Sequence, residues 1–130
     1  MLLSVSLQAQ QPVDRWPSGA EKCELSAAGG RISVSALCGT LEAPENRNDP
    51  GSRNIELAWA VVEARTGSPE PDPVFFLAGG PGQSARDVAP VISNALSDIN
   101  RSRDLIFLDQ RGTGGSNALE CEFDEDTFLT

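Results

Sequence analysis

The chain has 130 residues, 39% of them apolar and few aromatic; that fits one domain, falls short of two, and allows a modest core. A net charge of −9 leaves nothing to neutralise phosphates, which argues against nucleic acid and against an anionic membrane surface; its ordinary effect is solubility. No histidine occurs, so these residues by themselves complete neither Ser-His-Asp nor Cys-His catalysis and no histidine-dependent metal site.

The first ten residues, Met1 to Gln10, are a short apolar run followed by small and polar residues. They match the end of a secretory signal in part, without its basic start, and match a frayed terminus equally well. No stretch is long enough to span a membrane. Residues 11–30, with Pro12, Pro17, Gly19 and Gly29-Gly30, read as an extended lead-in that Trp16 pins to the body. The domain organisation is therefore 1–30 as signal remnant and lead-in, with the folded domain over 31–130.

Residues 31–43 alternate with the period of a strand, and the turn formers of 44–52 predict a hairpin-type connection. In the following segment Ile55, Leu57, Trp59 and Val61 share one face, as in a half-buried antiparallel strand. A linker rich in proline and acid (67–73) ends it. Val74-Phe75-Phe76-Leu77-Ala78 and Leu105-Ile106-Phe107-Leu108 are continuous apolar runs, the pattern of parallel strands covered on both faces. Between them Val88, Val91, Ile92, Ala95, Leu96 and Ile99 recur at helical spacing. Asp87 reads as the N-cap, and Pro90 falls in the first turn. Residues 74–109 thus form a β-α-β unit, and the whole is an α/β fold that begins with an antiparallel hairpin. The last residues, Leu119 to Asp126, are strongly acidic and read as loop.

Three cysteines are present. Cys23 and Cys38 enclose a loop with Gly29-Gly30 at its turn, which allows a disulfide contributing about 3 kcal/mol in the chain-entropy picture and leaves Cys121 over. Three buried thiols is the alternative.

Two stretches carry chemistry. Ala78-Gly79-Gly80-Pro81-Gly82-Gln83-Ser84 follows a buried strand; its glycines let the backbone turn sharply, and its Gly-Pro bond is a candidate cis peptide. Such a loop either aims an N–H at an oxyanion or is a plain βα turn. Asp109-Gln110-Arg111-Gly112-Thr113-Gly114-Gly115-Ser116 follows the next strand. Its glycines would suit a phosphate, but the phosphate-loop pattern and a following helix are missing. The better reading is a hydrogen-bond network, built by the Asp-Gln-Arg triplet and Gly112, that shapes a site wall.

In this order and spacing the two stretches resemble the HGGPG and DQRGxGxS loops of the proline iminopeptidase-like α/β-hydrolases. Cys38-Gly39-Thr40-Leu41-Glu42-Ala43-Pro44 looks like the CGxLxVP segment of secreted tripeptidyl aminopeptidase relatives. The resemblance covers residues 38–117 and implies the N-terminal, incomplete part of the α/β-hydrolase fold, whose strand order begins 1-2-4-3. It implies that Gly80 supplies one oxyanion-hole N–H, with Gly79 and Pro81 setting its direction. It also implies an exported serine aminopeptidase acting on peptides, without cofactor or metal; an esterase on the same fold and a non-catalytic remnant are the rivals. No G-x-S-x-G elbow occurs, and Ser84 and Ser116 have neither its context nor a base. Ala78 stands where the iminopeptidases usually carry a histidine that is not a triad member. An apolar strand edge left open in a chain of this length would favour self-association.

Overall fold

The computed structural model describes residues 15–120. The leader-like residues 1–10, and Cys121 with the acidic stretch after it, lie outside the described residues. Five strands form one sheet: β1 (Glu21–Ala27), β2 (Ile32–Pro44), β3 (Asn54–Val62), β4 (Val74–Phe76) and β5 (Leu105–Leu108). Helix α1 (Ala85–Ala95) connects β4 to β5. Across the sheet the order is β1-β2-β3-β5-β4. The pairs β1–β2, β2–β3 and β3–β5 are antiparallel, and β4–β5 is parallel. This is a mixed α/β architecture whose only long helix, among the described residues, crosses between the two parallel strands.

The sheet starts earlier than the sequence pattern indicates. Residues 21–27, read as lead-in, form β1 and pair along β2, with Cys23 opposite Ala36 and Leu25 opposite Val34. Cys23 and Cys38 are joined by a disulfide, their Cα atoms 5.9 Å apart.

Side chains alternate between the two faces. On one, Ala36, Ala60, Val62, Leu105 and Phe107 pack beneath Ala85 and Ala89 of α1. Phe76 and Phe107 meet there with ring centroids 5.8 Å apart. On the other, Trp59, Val61 and Ile106 are covered by Trp16 and Ala20, so Trp16 does pin the preceding segment. The half-buried reading of β3 holds only for its first half. From Ala58 to Val62 every residue is buried, because β2 and β5 flank the strand and both sheet faces are covered there.

Gly39 faces Trp59 across the β2–β3 pair. A Cβ on Gly39 would lie 2.8 Å from the Trp59 ring atom Cε2. The indole occupies the space that a side chain at this position would take, and this close approach explains the glycine after Cys38.

Helix α1 departs from expectation at three points. Its N-cap is Ser84, whose hydroxyl accepts from the Asp87 amide, so Asp87 sits inside the first turn. Pro90 lies in the second turn, where its ring removes the bond to the Arg86 carbonyl. The buried side carries Ala85, Ala89, Pro90 and Ser93, with Ile92 and Leu96 beside them. Val91 and Ile99, placed on the expected stripe, are exposed. Small residues face the sheet because the helix rests close upon it.

Strand β4 is an edge, paired among the described residues with β5 alone. Phe75 is 60% exposed and Leu77 58%, which makes this edge both unpaired and apolar. A polypeptide limited to these 130 residues is expected to self-associate at micromolar concentration. Phe75→Lys should restore a monomer in sedimentation velocity; equal association by both proteins would mean that another surface is responsible.

Candidate active site

Both glycine-rich stretches emerge at the C-terminal ends of the parallel pair, β4 and β5, where open α/β sheets place their ligands. The β4–α1 loop runs from Leu77 to Ser84. Its Gly80-Pro81 bond is cis, and Gly80 has φ 132°. The Gln83 amide donates to the Gly79 carbonyl at 3.2 Å and closes the turn. Gly80 is exposed, and no hydrogen bond among the described residues uses its amide. Ala78 packs against the core beside Phe76, filling with apolar contact the place where the resemblance would put a histidine.

Asp109, at the end of β5, is 1% exposed. Its Oδ1 accepts from Ser84 Oγ at 2.9 Å and from the Arg86 amide at 3.1 Å. Its Oδ2 accepts from the Gly115 amide at 3.0 Å, and the Arg86 guanidinium stands 3.9 Å away. The carboxylate therefore occupies the N-terminus of α1, where backbone amides and the helix dipole favour negative charge. Its backbone is held as firmly: the Asp109 amide donates to the Ala58 carbonyl at 3.0 Å. Ser116 Oγ donates to the Asp109 carbonyl at 2.7 Å and accepts from the Ala58 amide at 2.8 Å.

The loop glycines make room for this arrangement. A Cβ on Gly114, whose φ is 48°, would lie 2.8 Å from both Asp109 Cγ and Ser84 Cβ. Gly112 closes the turn by donating to the Ser116 carbonyl at 2.8 Å. Arg111 reaches away from the network, its Nη1 donating to the Pro44 and Glu45 carbonyls at 2.7 and 2.9 Å. Gln110 is exposed, and its backbone carbonyl accepts from the Thr113 amide and hydroxyl. Of the Asp-Gln-Arg triplet, then, only the Asp109 and Arg111 side chains join the structure in the bonds described.

Ser84 and Ser116 are both buried and both committed to Asp109, which gives these two hydroxyls structural work and no open approach. Sequence reasoning missed Ser84 as the clamp. The Ser84-Ala85-Arg86-Asp87 spacing of a capping box was the available signal. No sequence signal pointed to Ala58 or Arg86.

The Arg111 contact ties this loop to the β2–β3 turn, which a second pair braces. Arg53 donates twice to Glu45, at 2.7 Å each. That hydrogen bond, followed by the nearby positive charges of Arg53 and Arg111, holds the Glu45 carboxyl below its ordinary range. A depressed acid contributes stability at and above the ordinary carboxylate range and loses it as the pH falls through the lowered value. A carbon-detected titration should find the Glu45 midpoint below the ordinary one, and Arg53→Ala should return it; an unchanged midpoint in Arg53→Ala would assign the shift elsewhere. Both groups are exposed, so the effect on global stability is small.

No group of acidic or cysteine side chains able to hold a metal occurs among the described residues, and no described helix is long and apolar enough to cross a membrane. No protein-family profile matches the chain. Three curated relatives do. One, from Mycobacterium bovis, is named as a hydrolase, and two, from strains of Mycobacterium tuberculosis, are named carboxylesterase B; each is 36% identical over 96 residues. The match takes in 69% of this chain and 18% of each relative, so the chain spans about a fifth of their length. The similarity supports a hydrolase in general; the name carboxylesterase belongs to two of those relatives.

Proposed function

We propose that this chain is the N-terminal part of a serine α/β-hydrolase in which the Gly80 amide is one of two oxyanion-hole donors. The observation that carries the reading is that amide: exposed, unengaged among the described residues, and set on a turn at the C-terminal end of a parallel strand. The order β2-β3-β5-β4 supports it, being the order with which the hydrolase scaffold begins. A serine, its histidine and its acid would come from the remainder of the protein. The serine attacks a carbonyl, and the Gly80 N–H receives the charge that develops on the oxygen, a contribution made only in the transition state.

The motif resemblance favours an exported aminopeptidase, and the Cys23–Cys38 disulfide favours an oxidising compartment. The relatives' names favour an esterase. The two readings differ in whether a free α-amino group is required. The intact protein should be assayed on aminoacyl and tripeptidyl anilides and on N-blocked esters. Loss of turnover on blocking the amine marks a peptidase; indifference marks an esterase. Under either reading Gly80→Ala, which keeps the N–H but cannot hold φ 132° without strain and so re-aims it, should lower kcat on the order of 100-fold with the fold retained by circular dichroism. A kcat within twofold of the parent would remove Gly80 from the oxyanion hole.

A further inference from the structure

We propose that Ser84 and Asp109 are positioning residues for the Gly80 amide, a reading that rests on Gly80 as oxyanion donor. The loop that carries Gly80 has few restraints of its own: a Gln83-to-Gly79 bond and a core contact at Ala78. At its far end Ser84 is held in two directions at once. Its hydroxyl donates to Asp109 Oδ1 at 2.9 Å and accepts from the Asp87 amide at 3.2 Å. Asp109 cannot yield, because its other oxygen and its main chain are bonded to Gly115, Ala58 and Ser116. Ser84 thereby fixes the end of the loop against β3, β5 and the first turn of α1 together. Three residues separate Gly80 from that fixed point, so freeing Ser84 lets the amide drift, and donors misplaced by about 1 Å cost rate on the order of 100-fold.

The test uses the intact hydrolase with Ser84→Ala, Ser84→Thr and Asp109→Asn. A trifluoromethyl ketone matched to the substrate reports the oxyanion hole by forming a tetrahedral adduct. Ser84→Ala is expected to lower kcat about 10-fold and to weaken the inhibitor by a similar factor, with KM within twofold. Ser84→Thr, which keeps the hydroxyl, should recover most of both. Deuterium exchange in the peptide spanning residues 78–84 should accelerate in Ser84→Ala and Asp109→Asn. A purely structural role would lower the melting temperature and leave the ratio of inhibitor constant to KM unmoved. Unchanged kcat, inhibitor binding and exchange in folded Ser84→Ala would overturn the proposal, whatever becomes of Asp109→Asn. If the parent ignores the ketone, the oxyanion reading fails, and faster exchange at 78–84 still supports positioning while unaltered exchange rejects it.

Discussion

Asp109→Ala is expected to destabilise the protein by about 3 to 5 kcal/mol, the range seen when one partner of a buried charged network is removed. The substitution leaves the Ser84 hydroxyl and the Arg86 and Gly115 amides without the acceptor they now share. Each stranded donor costs about 1 to 3 kcal/mol where water cannot reach it. The loss falls on a molecule whose total stability is on the order of 5 to 15 kcal/mol. Urea unfolding followed by circular dichroism measures it. A shift under about 1 kcal/mol would mean that water enters and satisfies those donors, and that the carboxylate does not hold β3, β5 and α1 together.

Gly39→Val should be the next most damaging change described, at about 2 to 3 kcal/mol, as for other overpacked interiors. The added Cβ alone would lie 2.8 Å from Trp59 Cε2. Trp59 is only 7% exposed and is wedged among Trp16, Val61 and Ile106, so the ring has nowhere to retreat without opening that face of the sheet. Tryptophan emission should shift to the red as the indole is displaced into water. Gly39→Ala should show the same changes at smaller amplitude. A valine variant with parental emission and stability would show that β2 shifts and the indole does not.

Much of the sheet is legible in the residues because its signals are local. Val74–Phe76 and Leu105–Leu108 stand out as unbroken apolar runs and fall where parallel strands lie. The turn of 44–52 matches the β2–β3 connection. What escaped reading depends on distant partners. Strand β1 shows a period of two in Cys23, Leu25 and Ala27, but Lys22, Glu24 and Ser26 between them look like loop until β2 is beside them. Aspartate caps well on its own, so the local sequence favours Asp87 as the start of α1. Ser84 takes the position because Asp109, 25 residues on, holds its hydroxyl. The inward face of the helix differs from the apolar stripe for a related reason: hydrophobic size marks a stripe, whereas close approach to a sheet selects alanine and serine. In the site, the spacing of the two glycine loops was readable, and the buried carboxylate that unites them was visible only as part of a triplet.

The Cys23–Cys38 link does not join facing residues. Cys23 lies opposite Ala36 and Cys38 opposite Glu21, so the bridge runs diagonally over one step of the ladder. That matters because β1 is, among the described residues, an edge strand with a repeating side-chain pattern. Sliding it by two residues along β2 would return every side chain to its own face, and alternation alone cannot tell those alignments apart. A covalent bond narrows the choice: a slide that carries Cys23 opposite Val34 takes the two sulfurs out of bonding reach. The cross-link thus acts as a ratchet stop for β1, set at the margin of the sheet farthest from β4 and the Gly80 loop. Reducing it would release the choice of alignment at one margin while leaving the bonds that gather around Asp109 at the other as they are.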